Sequence, residues 1–312
     1  MNINVLKNSI INVIQYKFNS NEGNVIHIGY GVDNNYVRCM ATSIASFCIN
    51  NKEKNLVFHV IASAFSEENK NKLKILAKQY MINIMIYEVD INYFKSLPIM
   101  TNNITVATYF RFILPLVLKD VEKLFYIDAD IVCLKNASDL FNINLDGKII
   151  AAVPDLEKMN KRRNKVLNLK EHIYFNAGVM IIDINKWNKY EVLNKAIAVI
   201  NKNSKLFIYQ DQDILNKILS GKIKYISKAF NCIDVYDFKQ NEIVLLHFAN
   251  HPKPWNKYWY LNIIYNNFTK DLYNFYEKNT PWCNSLLENN VTMGNYVKYV
   301  LKLILYKLKI NI

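Results

Sequence analysis

At 312 residues and 51% hydrophobic composition, the chain is long enough to bury a sizeable core, either as one large α/β domain or as one domain with a C-terminal addition. Lys and Arg number 39 against 26 Asp and Glu, and the formal charge of +13 asks for an anionic partner: nucleic acid, anionic lipid or a phosphorylated substrate. No zinc-finger spacing, RNP-like aromatic motif or KH-type GXXG loop is present, so nucleic acid is not expected, and no apolar run reaches the roughly 18 residues that span a bilayer.

The five cysteines (Cys39, Cys48, Cys133, Cys232, Cys283) are scattered without a CxxC pair, which fits a reducing compartment. Residues 1–24 carry an apolar stretch interrupted by Asn8, Asn12 and Gln15 and no small-residue cleavage site. They read as an N-terminal extension, and a cytoplasmic location is expected.

In chain order, 25–30 (VIHIGY) is strand-like and breaks at Gly31-Val-Asp-Asn-Asn, and Tyr36 to Cys48 has helical spacing. Leu56–Ala62 is a strand, Ser66–Tyr80 a helix opened by a capping serine and two first-turn glutamates, and Ile84–Val89 a strand. This alternation predicts an α/β fold with a mixed, mainly parallel sheet flanked by helices. Thr105–Leu114 reads as a helix bounded near Pro115, and Lys123–Ile127 as a buried strand ending in Asp128-Ala129-Asp130. Further strands are expected at Ile149–Val153, Val179–Ile184 and Val244–Phe248, with helices over Lys186–Ile200 and Asp211–Leu219. The basic stretch 156–172 reads as a mobile surface loop or lid. From about residue 261 a helical C-terminal region follows, ending in Tyr296–Ile312, which has no acidic residue. As a helix that tail puts Lys298, Lys302 and Lys309 near one face, which fits either an imperfect basic interfacial helix or a terminal helix docked on the core.

Two carboxylates at a strand end form a hard-oxygen pair able to hold Mg²⁺ or Mn²⁺, and ligands of open α/β sheets bind at the carboxyl ends of strands. Alone, Asp-X-Asp is also an ordinary solvated turn or helix cap. His247 ends an apolar run ahead of Lys253-Pro254-Trp255, and an imidazole beside two carboxylates tilts such a site toward Mn²⁺.

The ordered set IGYGVDNNY (28–36), TYFRFILP (108–115), FYIDADIV (125–132), YFNAGVMIIDINKW (174–187), YQDQDILN (209–216) and HFANHPKPW (247–255) resembles glycosyltransferase family 8 over residues 25–260. It is similar in particular to the bacterial lipopolysaccharide core galactosyl- and glucosyltransferases. The resemblance implies the nucleotide-sugar-binding GT-A fold, a UDP-hexose donor, a divalent metal and retention of configuration at the transferred carbon. It also implies a lipid-linked oligosaccharide acceptor at an anionic membrane surface, toward which the basic tail would hold the enzyme.

By the same resemblance, Asp128, Asp130 and His247 match metal ligands, with Ala129 between the two carboxylates. Gly31, Asp33, Asn35 and Tyr36 match a uridine-gripping loop, Arg111 a donor-contacting arginine, Asp155 a carboxylate that meets the transferred sugar, and Asn176 the FNAG turn near the acceptor. Asp211 and Gln212 match the pair beneath the anomeric carbon, and Lys253 the lysine on the departing diphosphate. Metal and lysine would stabilise charge on the leaving β-phosphate, and Asp211 would offset an oxocarbenium-like ring. Gln212, an amide, is a poor nucleophile, which favours front-face transfer through a short-lived ion pair over a covalent intermediate.

Several residues remain open between two roles. Arg111 fits a donor contact or a structural ion pair; Asp183 and Asp213 fit caps or salt bridges, or a substrate contact; His251, four residues after His247, fits a bystander more than a metal ligand, and Trp255 a packing anchor more than a sugar-stacking platform; His27 and His59 read as strand residues. Relatives commonly carry glycine where this chain has Asn250, and asparagine tolerates left-handed backbone angles better than most residues. A reading from another class, a non-catalytic membrane-surface glycan-binding protein derived from a transferase, rests on Asn250 and the basic tail. The intact DAD, QDQD and KPW sets argue against it.

Overall fold

The computed structural model describes residues 8–20, 23–95, 97, 105–169, 173–235, 239–289 and 291–308. The strands are β1 (Ile10–Lys17), β2 (Val25–Asp33), β3 (Asn55–Ser63), β4 (Asn83–Val89), β5 (Lys123–Ile127), β6 (Ile131–Cys133), β7 (Ile150–Pro154), β8 (Phe175–Asp183), β9 (Ile223–Tyr225) and β10 (Leu245–His247). The helices are α1 (Val37–Asn50), α2 (Glu67–Tyr80), α3 (Leu114–Val117), α4 (Ser138–Phe141), α5 (Glu157–Leu167), α6 (Ile184–Lys189), α7 (Val192–Asn203), α8 (Gln210–Leu219), α9 (Asn267–Lys278) and α10 (Met293–Lys307).

One large sheet runs β1-β4-β3-β2-β5-β8-β7-β9, with β10 and β6 pairing separately. Strands β4, β3, β2 and β5 are mutually parallel, as are β7 and β9, while β1, and β8 against both its neighbours, run antiparallel. The expected mixed, mainly parallel α/β sheet is present. Strand alternation sorts the core onto two faces. Ile26, Ile28, Tyr30 and Val32 of β2 join Phe58, Val60, Ile84 and Ile86 under α1 and α2. Leu124, Tyr126, Met180 and Ile182 pack on the other face against the 106–117 segment and α6–α8. A third cluster, with Phe248, Trp255, Tyr265, Tyr273 and Tyr276, seats α9 beside β6 and β10. Arg38 of α1 clasps Glu277 of α9 in a bidentate pair, Nε and Nη2 donating to the two carboxylate oxygens at 2.6 and 2.9 Å.

The structure departs from the sequence expectations at five places. Ile10–Lys17, within the stretch read as an N-terminal extension, is the edge strand β1; its polar interruptions Asn12 and Gln15 are what an edge open to solvent tolerates. The segment 156–172 is not a loop over its described part: Glu157–Leu167 is helix α5, pinned by Arg163 (3% exposed) and Leu167 (1% exposed), and residues 170–172 lie outside the described residues. Over 105–114 the backbone is a 3-10 helix (Val106–Phe112) followed by α3, with Pro115 in the first turn of α3. The long helix expected over 186–200 is broken at Tyr190-Glu191, where Glu191 takes the left-handed φ of 56°. Strand Val244–Phe248 shortens to β10, which pairs with β6 and not with the main sheet.

Candidate active site

A cleft of about 390 Å³ opens at the carboxyl ends of β2, β5 and β7 and the start of β8. It is lined by Gly31, Asp33, Tyr36, Arg111, Asp128, Ala129, Asp130, Asp155, Asn176, Asp211, Gln212, His247, Asn250 and Lys253. Every site residue expected from the sequence reaches it except Asn35, which is exposed and whose N–H donates to the Asp33 carboxylate at 3.0 Å. Gly31 is required for close approach: a Cβ there would lie 2.8 Å from Phe110 Cβ and 3.2 Å from the Ala107 carbonyl.

Chain crossing, not sequence adjacency, assembles the acidic centre. The Asp128 N–H donates to Gly178 of β8 and the Asp130 carbonyl accepts from Phe248, so the Asp-Ala-Asp turn is stitched to β8 and to the end of β10. His247 Nε2 then lies 3.2 Å from Asp130 and 4.0 Å from Asp128. Ligand atoms of Asp128, Asp130 and His247 lie within 4.8 Å of one another. Two carboxylates and an imidazole whose Nδ1 is engaged elsewhere, 2.8 Å from Asn231 Oδ1, form a donor set that fits a divalent cation.

Cations surround these carboxylates. Lys253 Nζ is 2.7 Å from Asp130, and although burial penalises the Asp130 charge, Lys253 and His247 hold its carboxyl well below the usual range. Arg111, 5% exposed, bridges Asp128 at 3.0 Å and Asp211 at 2.9 Å, donates to the Ala177 carbonyl at 2.7 Å, and stacks on Tyr126. Burial disfavours its charge, yet the two aspartates raise its pKa. Arg111 is thus an ion-pair partner that also lines the cleft.

The two inner carboxylates differ. Asp211 is tied to Arg111 and accepts from the Thr108 hydroxyl; burial nonetheless pushes its carboxyl up to about 6. Asp155 has no Lys, Arg or His nitrogen within 4 Å among the described residues and is held by neutral donors: the Leu156 N–H at 2.7 Å, Gln212 Nε2 at 2.8 Å and Asn176 Nδ2 at 3.3 Å. Burial raises its pKa, partly offset by those hydrogen bonds. Gln212 also accepts from the Ala177 N–H at 3.0 Å, so its amide orientation is set at both ends.

Other residues resolve into supporting roles. Asp213, fully buried, pairs with Arg163 of α5 and accepts from the Tyr174 hydroxyl and the Tyr209 N–H. Asp183 caps α6 through the Lys186 N–H. His251 lines the cleft outside the metal-like group, its imidazole pushed down to about 3 by burial and Lys253. Trp255 packs between Tyr36 and Tyr273. Asn250 has no positive φ; both its backbone groups bond the Tyr265 hydroxyl, at 2.8 and 3.0 Å, so the loop closes without left-handed backbone there. Sequence reasoning assigned no role to Thr108, Tyr209 or Asn231. Thr108 and Tyr209 fall inside quoted motifs; Asn231, in the 228–235 connection outside them, carries no local signal.

A mixed sheet with a two-carboxylate turn at the end of β5 and a histidine returning from β10 is the GT-A arrangement of glycosyltransferases. The crystal structure of the galactosyltransferase LgtC in complex with donor and acceptor sugar analogs superposes with a TM-score of 0.73, covering 82% of this chain and 96% of that one at 21% identity. The chain belongs to glycosyl transferase family 8, which it matches over residues 27–258. It is 30% identical over 283 residues to lipopolysaccharide 1,2-glucosyltransferase of Escherichia coli K12, covering 85% of this chain and 81% of that protein. It is 33% identical over 292 residues to lipopolysaccharide 1,3-galactosyltransferase of Salmonella typhimurium LT2, covering 88% and 84%.

Proposed function

We propose that this chain is a retaining hexosyltransferase that moves glucose or galactose from a UDP-sugar to a lipopolysaccharide or lipooligosaccharide core acceptor, forming an α-glycosidic bond. The observation that carries this reading is the meeting of the Asp128, Asp130 and His247 group with Lys253, Asp155 and Gln212 in one cleft. Asp128, Asp130 and His247 would hold Mn²⁺ or Mg²⁺, the imidazole favouring Mn²⁺. A bound divalent ion supplies positive charge where the departing β-phosphate becomes more negative.

The chain's own residues do the remainder. Gly31, Asp33 and Tyr36 form the wall fitted to uridine, while Lys253 places an ammonium against the leaving diphosphate. Asp155, a carboxylate held by neutral donors, would face the transferred sugar and offset charge developing on the ring. Asp211, compensated by Arg111, takes the smaller share. Gln212 is an amide with both ends hydrogen-bonded, which supports same-face transfer over a covalent glycosyl intermediate.

The acceptor would approach along α5, where Met159 and the preceding Leu156 join Tyr209 at the cleft. Helix α10 buries no residue and exposes Met293, Val297, Leu301 and Ile304, continued by its C-cap Leu308, at spacings of one helical stripe, with Lys298 and Lys302 beside it. This supports a peripheral seat on the anionic inner face of the cytoplasmic membrane; Lys309 lies outside the described residues. Among the described residues no helix is long and apolar enough to cross a membrane. The test of the reaction is product analysis: incubation with UDP-glucose or UDP-galactose, Mn²⁺ and truncated core acceptor should yield a hexose released by an α-glycosidase. A β-linked product would overturn retention, and turnover without a UDP-sugar would overturn the donor.

A further inference from the structure

We propose that Asn231 is a positioning residue that orients the His247 ring through Nδ1 and couples the metal-ligand side of the cleft to Asp155, the carboxylate assigned to meet the transferred sugar. The inference rests on the transferase reading above and names a residue that the family resemblance does not.

Asn231 is 3% exposed and its backbone is held beside β10, because the Cys232 N–H bonds the Leu245 carbonyl and the His247 N–H bonds the Cys232 carbonyl, each at 2.9 Å. Its side chain is used at both ends. Oδ1 lies 2.8 Å from His247 Nδ1, and Nδ2 donates to Asn176 Oδ1 at 2.8 Å. Asn176 Oδ1 also accepts from the Gly178 N–H at 2.9 Å, so that oxygen is an acceptor and the Asn231 nitrogen must face it. The Asn231 oxygen is then left to accept from His247 Nδ1–H, so Nε2 is the ring nitrogen that faces Asp128 and Asp130 and would offer its lone pair to a divalent ion held there. Metal-binding imidazoles are commonly oriented by such a partner on the other ring nitrogen.

From Asn176 the chain of contacts continues through Nδ2 to Asp155 Oδ2 at 3.3 Å, and that oxygen also accepts from Gln212 Nε2 at 2.8 Å. One amide therefore touches a ligand of the proposed metal and the residue that orients Asp155. A carboxylate at position 231 could accept from His247 but could not donate to Asn176, and an aliphatic side chain could do neither. The two functions are separable by substitution.

The experiment measures Mn²⁺ affinity of the full chain by calorimetry, thermal stability, and kcat for UDP release at saturating Mn²⁺, for wild type, Asn231→Asp and Asn231→Ala. Asn231→Ala should weaken Mn²⁺ by ~10- to 100-fold, the usual cost of losing such a partner, and lower kcat even when metal is saturating. Asn231→Asp should bind Mn²⁺ at least as tightly as wild type, since its carboxylate still accepts from Nδ1–H, while kcat falls ~10-fold or more because the link to Asn176 and Asp155 is broken. Wild-type Mn²⁺ affinity in Asn231→Ala would overturn the proposal. So would parallel loss of Mn²⁺ affinity and thermal stability in both variants, which marks a merely structural residue. Failure of the wild type itself to bind Mn²⁺ would instead overturn the metal-dependent reading of the cleft, and the coupling with it.

Discussion

Gly178 is the position where a single methyl group interrogates the whole acidic centre. An ideal Cβ there would sit 2.5 Å from His247 Cε1, 2.9 Å from its Nδ1 and 3.0 Å from Asn176 Oδ1. Carbon–carbon contacts settle at about 3.5–4.0 Å, so in Gly178→Ala the ring must retreat by roughly 1 Å. The Nδ1 contact to Asn231, now 2.8 Å, would then stretch past roughly 3.2 Å, the upper end of ordinary N–H···O bonds, and Nε2 would swing off Asp130. Overpacking of this kind costs about 1–3 kcal/mol of stability, and loss of the imidazole's partner ~10-fold or more in metal affinity. Gly29→Ala supplies the control, since its Cβ would meet the methyl ends of Leu114 and Leu124 at 2.9 and 3.1 Å, far from the carboxylates and able to swing aside. Calorimetric Mn²⁺ titration and thermal denaturation of both variants should show metal affinity lost in Gly178→Ala and retained in Gly29→Ala. Wild-type Mn²⁺ affinity and melting temperature in Gly178→Ala would refute the reasoning, because the ring would then have room the structure denies it.

Three further outcomes are expected. Burial, with His27 at 2.9 Å adding to it, pushes the His59 imidazole down from 6.5 to about 3, so the unfolded chain binds the extra proton between those values and stability present at neutral pH is lost as pH falls through that window. From pH 7 to pH 5 the loss from this group is ~2 kcal/mol, and urea titrations of His59→Gln should show that slope flattened. Asp213→Ala should cost about 3–5 kcal/mol in the same assay by stranding the buried Arg163 guanidinium, and should free Tyr209 from its backbone bond to Asp213. Deleting residues 293–312 should reduce sedimentation with phosphatidylglycerol vesicles while leaving UDP-sugar hydrolysis near the wild-type rate; unchanged vesicle binding would remove α10 from the membrane account.

The acidic centre is legible in the sequence because its groups occupy punctuated positions: a five-residue strand that stops at Asp128, and an apolar run that stops at His247. Hydrophobic period placed β2 to β5 and α1, α2 and α8 close to their observed bounds. It failed where tertiary partners override local pattern. Strand β1 was hidden by polar residues that only an edge position tolerates, and α5 by a charged composition whose helix is secured through Arg163 and a carboxylate fifty residues away. The separate pairing of β10 with β6 follows from where the chain returns, which no local window contains. Asp128, Asp130 and Lys253 were legible from spacing and resemblance, whereas the pairing of Asp211 with Arg111, the neutral donors around Asp155 and the relay through Asn231 depend on contacts between β5, β8, α8 and the 228–235 connection. Asn250 shows the limit of argument by residue type, since its loop closes through Tyr265 and not through left-handed backbone.

The central claim is best tested by UDP release from UDP-glucose and UDP-galactose, measured side by side with Mn²⁺, with Mg²⁺ and with EDTA, for wild type and Asp130→Ala. The account predicts metal-dependent release from one of the two donors, abolished by EDTA and by the substitution in a protein that still melts cooperatively. Release that persists in EDTA or in Asp130→Ala would contradict it.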